Sequence, residues 1–263
     1  MNIITSAHNA QLKQLAKLLA SAKARREEHR AVLEGAHLLD AYLNAGGQPE
    51  QVFVPESRAD KAETRALLAR LPQETCTLVS KGALERISQL TEGAELMTLL
   101  PLPLPGQAPT EGDCIVLERV QDPGNAGTIL RSAAACGIRQ VVLSEDCVDV
   151  WSPKVLRAGM GAHFLLDLHV RTDLMSWRSA YRNRVLATAL GGRINYSLYE
   201  LDLQTPCAWV FGNEGIGVSP ALQQAADATV KIPMSGATES LNVAMAATVC
   251  LFEQQRQRLL PAR

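Results

Sequence analysis

The chain has 263 residues, 47% hydrophobic and 20% charged, which suits one large or two modest cores and argues against wholesale disorder. A net charge of −1 argues against a broad basic surface, though not against a local one. The six cysteines form no C-x-x-C and the five histidines no H-E-x-x-H, so no metal is expected; no apolar run is long enough to span a membrane. The opening MNIITSAHNAQLKQ is too polar for a signal peptide, and a reducing, cytoplasmic setting is the expectation.

In chain order, Leu12, Leu15, Ala16, Leu18 and Leu19 recur at helical spacing and predict an amphipathic helix. Lys13, Lys17, Lys23, Arg25, Arg26 and Arg30 cluster around it, either as a solvated face or as a basic patch. A second helix is expected over 34–44, a strand at QVFV ending at Pro55, and a helix capped by Ser57 and running to Leu71. CTLVS reads as a strand, 81–89 as a helix and LMTLL as a strand, giving a small α/β domain over 1–100. Three prolines at alternate positions in PLPLP mark an extended linker over 101–112.

From 113 to 263 the alternation is more regular. CIVLE, QVVLS, HFLLDL, RVLATAL, CAWVF and TVKIP are six candidate strands, mostly continuous apolar runs of the kind covered on both faces. Helices fall between them, and Ser152-Pro153 and Ser219-Pro220 resemble an N-cap followed by proline in the first turn. The expected architecture is α/β, a mostly parallel six-stranded sheet flanked by helices, with ligand loops at the carboxyl ends of strands.

Three polar loops attach to these apolar elements. FGNEGIG, 211–217, surrounds Glu214 with glycines spaced G-x-x-G-x-G, unlike the G-x-G-x-x-G of dinucleotide folds, and no Walker-type G-K-[ST] occurs. Taken alone, Glu214 could be the incidental carboxylate of a tight turn. Asn125 stands just before an apolar helix and could be its N-cap. Arg131, the only charge between Pro123 and Arg139, either projects into solvent or faces a cleft and meets an anion. Ser240 and Asn242 open the last helix, where serine capping is the simple reading. The stretch 240–252 carries no charge and is expected to be buried all round, within its domain or against a second subunit.

LERVQDPGNAGTILRSAAACGI, FGNEGIGVS and IPMSGATESLNVAMAATVCLFE, in this order and spacing, resemble the three motifs of the SpoU/TrmH branch of SPOUT RNA methyltransferases, and PKVLRAGMGAHF between the first two also fits. ITSAHNAQLKQLAKL and EGAHLLDAYLNAG resemble an N-terminal substrate-binding domain related to a ribosomal-protein RNA-binding fold. The resemblance implies methyl transfer from S-adenosylmethionine to a ribose 2′-hydroxyl in RNA, rRNA more than tRNA, by a homodimer whose catalytic domain carries a C-terminal trefoil knot. By motif position, Gly212, Asn213, Glu214, Gly215, Ile232, Met234, Leu241, Asn242 and the turn at Ala189, Leu190 and Gly191 would hold the cofactor, largely through backbone groups. Asn125, Arg131, Glu214, Ser240 and Asn242 fall on the catalytic positions, with Asn125 orienting Arg131. Ser132 and Cys136 depart from the threonine and aromatic frequent there. Two other readings are a non-catalytic RNA-binding or ribosome-assembly protein with the same fold, and a nucleotide-dependent oxidoreductase, which lacks its fingerprint.

Overall fold

The computed structural model describes residues 3–6, 8–88, 96–104, 106–189, 195–237 and 240–259. They form two compact units, Met1–Leu104 with Trp151–Phe164, and Pro105–Val150 with Leu165–Arg263. The boundary falls in the proline-rich segment. The segment Trp151–Phe164 groups with the first unit, whereas the sequence reading assigned it to the second domain.

The first unit contains α1 (Ala10–Ala20), α2 (Ala22–Glu28), β1 (Arg30–Glu34), α3 (Ala36–Asn44), β2 (Gln51–Pro55), α4 (Glu56–Ala59), α5 (Ala62–Leu68), β3 (Cys76–Val79), α6 (Lys81–Glu85) and β4 (Met97–Pro101). Its sheet has the order β1-β4-β2-β3, antiparallel except for the β2–β3 pair. Leu12, Leu15, Leu18 and Leu19 pack on one face with Phe53 and Met97, and Leu39, Val52, Val54 and Leu67 form the core on the other. Strand β1 was not anticipated, because only three apolar residues, Ala31–Leu33, carry its signal. The helix expected to run from Ser57 to Leu71 is instead two short ones, with Ser57 inside α4 rather than capping it. Arg25 departs from the basic run around it: it is buried and donates to the Leu19 carbonyl at 3.1 Å, satisfying the carboxyl end of α1.

The second unit is built on β5 (Cys114–Leu117), α7 (Pro123–Ala135), β6 (Gln140–Leu143), β7 (Asp167–His169), α9 (Leu174–Ala180), β8 (Arg184–Thr188), β9 (Asn195–Ser197), β10 (Cys207–Phe211), α10 (Pro220–Ala225), β11 (Ala228–Lys231) and α11 (Val243–Leu259); α8 (Pro153–Gly159) lies in the segment grouped with the first unit. Among the described residues seven parallel strands, not six, run in the order β7-β6-β5-β10-β8-β11-β9. The extra strand is β9, three residues paired to β11 at the sheet edge, too short and polar to stand out. HFLLDL is a strand only from Asp167, since Ala162–Leu165 form a 3₁₀ turn.

Leu174, Trp177 and Tyr181 of the α9 region and Leu222 of α10 cover one face over Val116, Val142, Val185 and Val210. α7 and α11 pack together, and Ser132 and Thr248 hydroxyls meet at 2.7 Å between them, which gives a polar use to the serine that departs from the family pattern. The far end of α11 is fastened to the start of β5: Arg258 Nη2 donates to Asp113 Oδ1 at 2.9 Å and Gln254 Nε2 to the same oxygen at 2.8 Å. Trp209, fully buried on β10, donates its indole N–H to Gln254 Oε1 at 2.7 Å. α11 is not buried all round. Ala244, Ala247, Cys250 and Leu251 face inward, but Met245 is 50% and Phe252 45% exposed.

Among the described residues no helix is long and apolar enough to cross a membrane, and no group of His, Cys, Asp and Glu could hold a metal ion.

Candidate active site

The loops after β5 and β10, which are adjacent parallel strands, meet at the carboxyl edge of the sheet. Asp122 starts α7: its Oδ1 accepts from Asn125 N at 2.8 Å, with Pro123 in the first turn. Asn125 is therefore not the cap, and its side chain is free for other work. Its Nδ2 donates to Glu214 Oε1 at 3.1 Å, and its Oδ1 accepts from Asn242 Nδ2 at 2.9 Å. Asn242, rather than Ser240, caps α11, its Oδ1 accepting from Ala244 N at 2.9 Å and Met245 N at 3.3 Å. Residues from three separate loops are thus joined in one chain, Glu214–Asn125–Asn242.

Glu214 is the hub. Oε1 also accepts from Asp122 N at 3.0 Å, and Oε2 from Gln121 N at 3.3 Å and Asn213 Nδ2 at 3.4 Å. Partial burial alone would raise its pKa, but the donors from Asn125, Asp122 and Gln121 outweigh it and hold the carboxyl below its usual range. Its contribution to stability is therefore present above the unfolded carboxylate range and lost as pH falls through the depressed folded value. The Glu214 carboxylate thereby braces the loops after β5 and β10 against each other.

Asn213 is committed to shaping its own loop. Oδ1 accepts from Gly215 N at 3.0 Å and Ile216 N at 3.2 Å, while Nδ2 donates to the Arg119 carbonyl at 2.9 Å. Backbone bonds between Asn213 and Gly217 close the turn. Gly212 is required by close packing: a Cβ there would lie 2.1 Å from Gly217 C and from Val218 N. The glycine signal thus records one backbone crossing directly over another.

Beneath this turn lies a cleft of about 600 Å³, within the usual size for a small-molecule site. Its lining includes Ala189, Gly212, Asn213, Glu214, Gly215, Ile232, Met234, Ser240 and Leu241. Of the other residues expected at the cofactor, Asn242 sits at the cap described above, and Leu190 and Gly191 lie outside the described residues. Val230, Ile232, Met234 and Leu241 give the cleft an apolar part beside the polar turn.

Arg131 stands apart from this lining. It is exposed on α7 and makes no hydrogen bond or ion pair with another described residue. Asn125 does not orient it. Six residues on a helix are about 600° of rotation, which puts the two side chains on different faces, and Asn125 is spent on Glu214 and Asn242. Arg131 shares its open face with Gly124, Thr128 and Ala135, small neighbours that leave the guanidinium accessible.

The chain resembles known proteins over nearly its whole length. The model of the SpoU rRNA Methylase family matches residues 113–252, and that of the MRM3-like substrate binding domain matches 9–98. The chain is 34% identical over 258 residues to an uncharacterized tRNA/rRNA methyltransferase of Synechocystis sp., covering 97% of this chain and 94% of that one. It is 31% identical over 255 residues to the Bacillus subtilis 23S rRNA (guanosine(2553)-2'-O)-methyltransferase RlmP, covering 96% and 98%. The solved AdoMet-bound rRNA methyltransferase from Sinorhizobium meliloti superposes with a TM-score of 0.82 at 28% identity, over 99% of both chains.

Proposed function

The chain belongs to the SpoU rRNA methylase family, and from that premise we propose how its residues divide the work and which RNA it serves. It is an S-adenosylmethionine-dependent enzyme that methylates a ribose 2′-hydroxyl in RNA. The observation that carries the assignment of its site is the hydrogen-bonded chain Glu214–Asn125–Asn242, which joins the three motif segments, with Glu214 lining the cleft.

The cofactor, when bound, supplies an electrophilic sulfonium methyl. Gly212, Gly215, Ile232, Met234, Ser240 and Leu241 would hold it, with Ala189 as a further wall and Asn213 and Glu214 fixing the turn. Transfer requires oxygen, carbon and sulfur nearly in line, so a rigid loop contributes by orientation. Arg131 cannot serve as a base, because a guanidinium keeps its proton. It binds the substrate phosphate and stabilises negative charge developing on the ribose oxygen. No side chain in the described site is poised as a conventional general base, and a substrate phosphate is the acceptor this arrangement favours.

The target is rRNA in preference to tRNA, a choice supported by the relatives' names, with the domain over 1–100 recognising structured RNA beyond the reacting nucleotide. All six cysteines are free, as a cytoplasmic location would have them. The trefoil knot belongs to this reading too, supported by the family to which the chain belongs and by the likeness to its solved structures. RNA from cells lacking the protein, incubated with labelled S-adenosylmethionine and purified enzyme, should gain one ribose methyl in rRNA. Label confined to tRNA would overturn the choice of target, and label on a base would overturn the assigned acceptor.

A homodimer completes the reading. Met245, Phe252 and Leu259 are exposed along one side of the last helix, at seven-residue spacings that keep them on one stripe. Sedimentation at micromolar concentration should give about twice the chain mass of 28.4 kDa. A monomer would remove the dimer from the reading.

A further inference from the structure

We infer that Glu118 is a positioning residue for the cofactor loop, holding the end of it that the Glu214 network does not reach; the inference rests on the methyltransferase reading above. Glu118 follows β5, and its N–H is bonded to the Phe211 carbonyl at 2.9 Å, so it lies where the two strands end side by side. Its carboxylate Oε2 accepts from Ser219 N at 2.6 Å. Ser219 caps α10 and closes the turn that began at Gly212. Two carboxylates therefore cross between the same two loops in opposite directions. Glu214 reaches from the β10 loop to the N–H groups of Gln121 and Asp122, and Glu118 reaches from the β5 loop to the N–H of Ser219.

Arg119 supports the arrangement through its backbone. Its φ of 56° is left-handed, a conformation that costs an L-residue energy and that its bonds maintain. The Ser144 hydroxyl accepts from Arg119 N at 2.9 Å, and the Arg119 carbonyl accepts from Asn213 Nδ2 at 2.9 Å. The Arg119 guanidinium lies 3.7 Å from Glu118 Oε2. The loop is thus fastened at Asn213, at Glu214 and at Ser219.

The third tether matters for the cofactor because of what lies beside it. Val218 lines the cleft and abuts Gly212 backbone to backbone, with no room for even a Cβ between them. Loss of the Glu118 carboxylate frees the Ser219 N–H at a part-buried position and lets this wall move. The Arg131 helix is fixed separately, by the Asp122 cap and the contact with α11. The effect should therefore fall on cofactor affinity and not on the chemistry of bound substrates.

The test is S-adenosylhomocysteine calorimetry with steady-state kinetics on full-length wild type, Glu118→Ala, Glu118→Gln and Glu118→Asp. Glu118→Ala should weaken binding by about tenfold or more, the scale of a charged hydrogen bond, and raise the KM for S-adenosylmethionine with kcat changed less than threefold. Glu118→Gln should recover most of the affinity, because its amide oxygen still accepts from Ser219 N. Glu118→Asp, one methylene short of that N–H, should not. If Glu118→Ala does not fold, the contrast between the Gln and Asp variants decides. Equal affinity across the folded variants, or a fall in kcat with KM unchanged, would overturn the inference. Failure of the wild type itself to bind would instead reject the reading on which it rests.

Discussion

Replacing Gly212 with alanine is expected to abolish S-adenosylhomocysteine binding while leaving most of the secondary structure in place. The added Cβ would sit 2.1 Å from Gly217 C, 2.1 Å from Val218 N and 2.4 Å from Gly217 O. These are backbone atoms, and they cannot rotate away as the end of a flexible side chain could. The turn must open, and opening it pulls against the Asn213–Gly217 bridge and the Glu214 bonds together. Since binding is assigned to backbone groups of this turn, affinity should fall by at least ~10²-fold, about 2.7 kcal/mol, and a larger side chain should be worse. Gly215 is the internal control. A Cβ there meets only Asn213 Oδ1 at 3.6 Å, an ordinary contact, so Gly215→Ala should bind far better than Gly212→Ala. Calorimetry on both variants, with circular dichroism to verify folding, checks the pair. Comparable affinities would mean that the glycine spacing serves the turn and not the cofactor.

The sheet and the loops at its carboxyl edge were legible because the strands are apolar on both faces and therefore read as runs. β9 and β1 were missed for the opposite reason: neither carries a run long enough to stand out, and pairing with a neighbour, not local preference, makes them strands. At the site, motif positions pointed to Asn125, Glu214 and Asn242, yet their linkage was hidden. A linear reading offered capping for Asn125 and Ser240, whereas the caps are Asp122 and Asn242. Asp122 followed by Pro123 fits the same cap-then-proline pattern as Ser152-Pro153 and Ser219-Pro220, which leaves the Asn125 side chain to Glu214 and Asn242. Glu118 and Arg119 gave no signal, because a residue that accepts from or offers a backbone group leaves no side-chain pattern in the sequence. The uncharged stretch of α11 was read as buried within its domain or against a second subunit; within the single chain part of it is an open apolar stripe, so the first alternative alone does not hold.

Arg131→Ala is expected to lower the rate of methyl transfer by at least ~10²-fold, the scale seen when a preorganised donor to a developing oxyanion is removed. Cofactor affinity should scarcely change, since Arg131 is absent from the lining of the cleft. Folding should also be intact: the side chain is exposed, and no hydrogen bond or ion pair with another described residue is lost. That lack of partners separates the role proposed for Arg131 from the structural roles of its neighbours. Ser132 beside it is bonded to Thr248, and Ile129 and Leu130 are fully buried, so each of those has work in the fold. A guanidinium with no internal work, on a helix face of small residues, is available to an external anion, and RNA supplies phosphates beside every ribose. Arg131→Lys should rescue poorly, because an ammonium lacks the planar fork that holds two oxygens at once. RNA affinity should fall much less than rate, as one contact among many is lost while the charge that stabilises the transition state disappears entirely. Single-turnover methylation of the cognate RNA by both variants, with RNA and cofactor binding measured in parallel, separates these effects. Near-wild-type turnover by the alanine variant would return Arg131 to an ordinary solvated residue and leave the Glu214–Asn125–Asn242 chain to organise the site without it.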